Sequence, residues 1–189
     1  MSTEQRPEPG AAGTPGAVGL RFLLAHPAHL VALGFGSGLA PRAPGTAGTL
    51  WAWLVFAALE RVLTLTRGEL GLLTALSLPL GWWACTRAAQ HLAIADPGAI
   101  VWDEVVAFWF VLWALMPASW AMQLAAFVLF RIFDAAKPGP VAWADRRFKP
   151  GPDDRIGWAQ GAGILLDDVV AALCTLALLV PASWLWGWR

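Results

Sequence analysis

The 189-residue chain is 58% hydrophobic and only 14% charged, with 13 Trp and no Tyr, whereas roughly half the residues of a soluble domain are apolar. That excess argues against a water-soluble globule, and the length allows a single domain. The 13 basic and 13 acidic residues cancel, so no net field draws the chain to nucleic acid.

Residues 1–19 are Pro, Gly and Ala with scattered charges, too poor in large apolar groups to pack, and predict a disordered tail. No apolar run follows the charges before Pro15, so the tail lacks the plan of a secretory signal. The next stretch, RFLLAHPAHLVAL, is broken by Pro27 and reads as an interfacial helix. Residues 20–189 are then one membrane-embedded domain.

Four apolar blocks follow, at 47–59, 70–86, 101–133 and 164–187. A crossing needs about 20 mostly apolar residues, and the first block reaches that length only with its flanks. The third block is long enough for one tilted helix or for two arms turning at Met116-Pro117-Ala118. Charge decides between them. Six of the 13 Lys/Arg (Arg131, Lys137, Arg146, Arg147, Lys149, Arg155) fall between blocks three and four, and such clusters stay cytoplasmic. With the N-terminus also inside, only a hairpin in block three returns the chain to that side. The expected fold is all-α, a polytopic membrane protein of four to five short transmembrane helices with interfacial or re-entrant segments and a polar site at the cytoplasmic face. Trp51, Trp53, Trp82, Trp83 and Trp102 should then lie near the cytoplasmic interface, and Trp120, Trp184, Trp186 and Trp188 near the outer one. Trp109 and Trp113 are expected to pack in the core. Cys85 and Cys174 lack zinc-site or disulfide spacing and read as packing residues.

In this topology the polar motifs gather on one membrane face. GFGSGLAPRAPGTAGT (34–49) carries five Gly, two Pro, one basic residue and three hydroxyls ahead of a helix; it can offer backbone N–H groups to an anion, or simply lead the chain into the membrane. It is neither a P-loop nor a Rossmann turn. DPGAIVWDEVVAFW places Asp103 and Glu104 at a helix start, where capping explains one carboxylate better than two. FRIFDAAKPGPVAWAD repeats Arg131, Asp134 and Lys137 every three residues, on one face of a helix that Pro138 ends. Such a face suits a phosphate held by cations beside a carboxylate. GAGILLDDVVAAL buries Asp167 and Asp168 inside the last apolar run. Carboxylates at mid-helix cost about 2.5–3.5 kcal/mol on insertion scales, so a divalent cation is the expected partner. Asp153 and Asp154 carry no such cost and read as a solvated loop. His26, His29 and His91 are too few and too spread for a metal triad and read as interfacial side chains. Motifs of the familiar covalent phosphatase nucleophiles are missing.

GFGSGLAPRAPGTAGTL, DPGAIVWDEVVAFW, FRIFDAAKPGPVAWADRRF and GAGILLDDVVAAL, in that order over roughly residues 27–173, resemble the phosphatidylglycerophosphatase A family of bacteria. The resemblance implies an inner-membrane, magnesium-dependent phosphatase that converts phosphatidylglycerophosphate to phosphatidylglycerol, ahead of cardiolipin synthesis. It implies substrate-binding roles for Ser37, Arg42, Gly45, Thr46 and Asp145, catalytic roles for Asp103, Glu104, Arg131, Asp134, Lys137 and Asp168, and a Mg2+ site drawn from Asp103, Glu104, Asp134, Asp167 and Asp168. Two departures stand out: the link KPGPDDRIGWAQGAG is longer than usual, and Ala107 and Ala172 replace Gly. The expected partners are the phospholipid substrate and the membrane, and no motif sets an oligomeric state. A CDP-alcohol phosphotransferase is the enzymatic alternative, weakened by the missing DG..AR..G...D...D pattern. A small membrane transporter subunit is the other, weakened because its pathway needs polar groups through the whole thickness.

Overall fold

The computed structural model describes residues 18–147 and 156–186. Most of the expected tail, together with Asp153, Asp154 and much of the lengthened link, lies outside the described residues. Within them the chain is helical and shows no strand. Pro27 divides the expected interfacial helix into α1 (Leu20–Ala25) and α2 (Pro27–Ala32). A 3-10 helix over Gly34–Leu39 leads to α3 (Pro44–Arg61), which takes in the flanks that the first apolar block needed. Pro44 opens α3 at the one helical position where its missing N–H costs nothing. α4 (Arg67–Leu92) starts on a reciprocal cap: Glu69 N–H donates to Thr66 Oγ1 at 3.3 Å and Thr66 N–H to Glu69 Oε2 at 2.7 Å.

The third block is two helices, α5 (Trp102–Leu115) and α6 (Trp120–Ala136), as the charge argument requires. Ser119 caps α6 by accepting from Met122 N–H at 3.3 Å, and Lys137 ends it in the left-handed conformation before Pro138. α7 (Pro140–Arg147) is a short helix within the basic segment, and α8 (Trp158–Trp186) completes the chain.

Five of these helices run between the same two ends. At one end the α3–α4 and α5–α6 turns meet: Arg61 lies over the Trp120 ring at 4.2 Å, Arg67 donates to the Met116 carbonyl at 3.1 Å, and Trp113 Nε1 to the Arg67 carbonyl at 3.0 Å. At the other end α2, the 3-10 helix, α7 and the starts of α3, α5 and α8 come together. α5 is the axis, buried from Trp102 to Trp109. Its entry is fixed by Val101 N–H, which donates to the Ala32 carbonyl of α2 at 2.9 Å. α4 and α8 approach so closely that a Cβ at Gly161 would collide with Thr86 Oγ1.

Apolar side chains also cover the outside. Leu50 and Leu54 of α3, Leu72, Leu76 and Leu80 of α4, Leu124, Val128 and Ile132 of α6, and Leu173 and Leu178 of α8 are exposed. No charged residue interrupts α3 from Pro44 to Leu59, α4 from Leu70 to Thr86, or α8 from Val169 to Trp186. By length and composition, one described helix is long and apolar enough to cross a membrane, Trp158–Trp184.

The tryptophans depart from expectation at one place. Trp53 faces the far end, with its Nε1 on Gln123 Oε1 at 2.7 Å and its ring against Trp120 and Phe127. Trp113 packs against the core as expected, partly buried, and its Nε1 donates to the Arg67 carbonyl at that same end. Trp109 is core, donating to the Ala52 carbonyl at 2.9 Å. The side chains of Trp186 and Trp188 lie outside the described residues. Cys85 is buried and Cys174 partly so, and both are free.

Candidate active site

Three helices place charged side chains at one end of the bundle. The first turn of α5 supplies Asp103 and Glu104, the last turns of α6 supply Arg131 and Asp134, and α8 supplies Asp168 three turns in from its start. One carboxylate oxygen from each of Asp103, Glu104 and Asp168 lies within 4.8 Å of the others, and each residue is at most 9% exposed. At that spacing two carboxylates repel by roughly 3.5 kcal/mol at an effective dielectric of about 20. Burial without cations or protons between them is therefore unfavourable.

Two observations fit a hard cation. Glu104 Oε2 and Asp168 Oδ1 are buried with no hydrogen-bond partner among the described residues, and all three donors are oxygens, the ligands that magnesium and calcium take. Asp103 also does the bland work of a helix start, since its Oδ1 accepts from Glu104 N–H at 3.1 Å.

Arg131 provides the positive charge at this cluster. Its Nη1 lies 2.6 Å from Asp134 Oδ2 and 3.6 Å from Glu104 Oε1, and donates to Thr49 Oγ1 at 3.2 Å. Its Nε is buried and unpartnered among the described residues. The start of α3 presses against these groups at Gly45, where a Cβ would overlap Glu104 Oε1 and stand 3.0 Å from Arg131 Nη2. Glycine at 45 is thus a condition of the site's shape.

Lys137 belongs to a separate cluster. Its ammonium pairs with Asp145 of α7 and, at 2.6 Å, with Asp167 Oδ2 of α8. Partial burial works against the charge, but the hydrogen bonds that the ammonium donates to Asp145 and Asp167 outweigh it and raise Lys137 above the ordinary lysine value. Lys137 therefore ties α7 to α8, and Asp167 lies outside the group of three carboxylates. Asp134 also lies outside that group, held by Arg131, although it stands beside Asp168.

The glycine-rich stretch is less convergent than its composition suggests. Ser37 turns its hydroxyl back on the Gly34 carbonyl at 2.9 Å, while Arg42 and Thr46 are exposed. Besides Gly45, whose backbone borders the cluster, Thr49, the last residue of that stretch, is the one whose side chain bonds to it. The sequence singles out its neighbours instead, because nothing in the chain links position 49 to an arginine 82 residues away.

The histidines correct the expectation that they are spread. His29 Nε2 and His91 Nδ1 meet at 2.7 Å, and the His26 ring lies 5.4 Å from that of His29 and 5.5 Å from that of His91. His29 Nδ1 is 2.7 Å from the Phe22 carbonyl, which can only accept, so this nitrogen carries a hydrogen. In the neutral pair His91 Nδ1–H then donates to His29 Nε2, tying α2 to the end of α4.

The phosphatidylglycerophosphatase A family profile matches residues 30–183, reaching ten residues beyond the motifs quoted above. Phosphatidylglycerophosphatase A of Escherichia coli (strain K12) is 36% identical over 162 residues, covering 84% of this chain and 85% of the relative. Phosphatidylglycerophosphatase A of Haemophilus influenzae is 40% identical over 154 residues, 81% of this chain and 86% of the relative. A Bacteroides thetaiotaomicron protein provisionally named phosphatidylinositol-3-phosphatase is 36% identical over 163 residues, 84% of this chain and 94% of the relative. No solved structure matches.

Proposed function

Because the chain belongs to the phosphatidylglycerophosphatase A family, we propose that it is a magnesium-dependent membrane phosphatase. Its reaction is hydrolysis of phosphatidylglycerophosphate to phosphatidylglycerol and inorganic phosphate, a step of phospholipid biosynthesis. The observation that carries this reading is the buried group of Asp103, Glu104 and Asp168 with Arg131 beside it, at one end of a bundle whose outside is apolar. Carboxylates for a cation and a guanidinium for nonbridging oxygens are what phosphoryl transfer asks of a protein.

Asp103, Glu104 and Asp168 would hold magnesium, which when bound neutralises phosphoryl charge and polarises an attacking water. The chain's own groups do the rest. Arg131 grips the phosphoryl oxygens, and Asp134 fixes its Nη1. The unpartnered oxygens Glu104 Oε2 and Asp168 Oδ1 are the atoms free to take a cation or the proton of the water. Trp102, Val105 and Phe108, which flank the two acids along α5, are all buried and leave the carboxylates in an apolar, water-poor surrounding.

The bundle lies in the bacterial inner membrane as a multi-pass protein with the site facing the cytoplasm. Three features support that placement: the apolar span of α8, the exposed leucines of α3, α4, α6 and α8, and the basic residues Arg131, Lys137, Arg146 and Arg147 at the site end. The deciding assay is phosphate release from phosphatidylglycerophosphate in mixed micelles, with magnesium or with chelator, beside phosphatidylinositol 3-phosphate as the competing lipid. Magnesium-dependent release from the first lipid is expected. Turnover of the second alone would move the substrate to the other named relative's class.

A further inference from the structure

Thr49 lies on the inner face of α3 and is fully buried. A hydroxyl has one hydrogen, and Thr49 spends it on the Gly45 carbonyl one turn back, at 2.8 Å, a common arrangement for helical threonine. Its lone pairs are left to accept, and Arg131 Nη1 donates into them at 3.2 Å. Nη1 has two hydrogens, and its other neighbour is Asp134 Oδ2 at 2.6 Å. Both hydrogens are therefore engaged. Nε–H and Nη2 share the opposite edge of the guanidinium plane, the fork that meets two oxygens side by side, and Nε has no partner among the described residues.

We propose that Thr49 is a positioning residue for phosphate binding: by taking one Nη1 hydrogen of Arg131 it keeps the Nε–Nη2 edge of the guanidinium unspent and aimed for the oxygens of a phosphomonoester. The inference rests on the phosphatase reading above. Glu104 Oε1, already 3.6 Å from Nη1, is the acceptor to which the guanidinium turns once Thr49 stops holding it. That rotation would lose the fork and tie up a site carboxylate together.

The test uses the full chain in mixed micelles, with phosphatidylglycerophosphate as substrate and inorganic phosphate as competitive inhibitor. Thr49→Ser keeps the acceptor and should stay within about twofold of wild type. Thr49→Val keeps the shape and should lose about tenfold in kcat/KM, with phosphate inhibition weakened in parallel. In an Arg131→Lys background, where no planar fork is left to aim, the same valine should add less than about twofold. A folded Thr49→Val protein with wild-type kinetics overturns the proposal, as does an undiminished loss on top of Arg131→Lys. If wild-type protein releases no phosphate from this lipid, the proposed function fails instead. Calorimetric titration of inorganic phosphate into the same variants then still decides whether Thr49 acts through Arg131.

Discussion

Arg131 Nη1 and Asp134 Oδ2 meet at 2.6 Å one turn apart on α6, and the pair is turned into the bundle beside Glu104, not out toward solvent. If Arg131 served only to neutralise Asp134, a lysine there would supply the same charge and turnover would change little. Its second edge predicts otherwise. Arg131→Lys should cut turnover by tenfold or more at saturating magnesium while the protein still elutes as a folded species, since about 1.4 kcal/mol of transition-state binding is a factor of ten.

Asp168→Asn keeps size and removes one of three crowded charges. The variant should fold at least as well as wild type and lose magnesium-dependent turnover. Melting in detergent with and without magnesium separates the two effects: the ion should raise the melting temperature of wild type and leave Asp168→Asn unmoved. Near-normal activity in the variant would remove Asp168 from the metal site.

Lys137 is expected to matter through α7. Lys137→Ala leaves Asp145 and Asp167 without their shared ammonium, so amide exchange over Pro140–Arg147 should quicken while that of α5 stays slow. The sign of the pH effect follows from a raised lysine value. The stabilisation is complete below the unfolded value and lost only as pH rises through the folded one, so the protection factors of α7 amides, with the intrinsic pH dependence of exchange divided out, should not change between about pH 6 and 9. A clear pH dependence in that window would point to another group.

The histidine cluster predicts the opposite trend. Burial lowers His29 below its ordinary value of 6.5, so near pH 6 the unfolded chain binds more protons at this position than the folded one. Stability contributed there is complete above about pH 6.5 and falls as pH drops toward the folded value. Wild-type protein should melt at a lower temperature at pH 5 than at pH 7, and His29→Gln should flatten that difference. An unchanged pH dependence in the variant would sink the assignment.

The hairpin between α5 and α6 sets the sidedness. A cysteine at Ala118 should react with an impermeant reagent added outside the cell, and one at Gly139 should not. Outside labelling at Gly139 would refute a site facing the cytoplasm.

The helices are legible in the chain because uninterrupted apolar runs leave little else to form, and the break at Met116–Ser119 is legible because the basic residues after Arg131 demand it. Each acid of the site is also legible singly, since a carboxylate in an apolar helix is costly enough to need a reason. Their grouping is not. Asp167 and Asp168 differ by about 100° around α8, and which neighbour each meets depends on how α8 is rotated against α6 and α7. The same limit hides the meeting of His29 with His91, 62 residues apart, and the reach of Thr49 to Arg131.

The opposed loyalties of Asp167 and Asp168 have a mechanical meaning. One side of α8 is pinned to α7 through Lys137, and the adjoining side carries a wall of the carboxylate group. Turning the helix about its own axis in either direction would detach one side as it crowded the other. α8 therefore sits like a key between two wards, and the basic segment outside the bundle and the reacting centre within it hold each other in register.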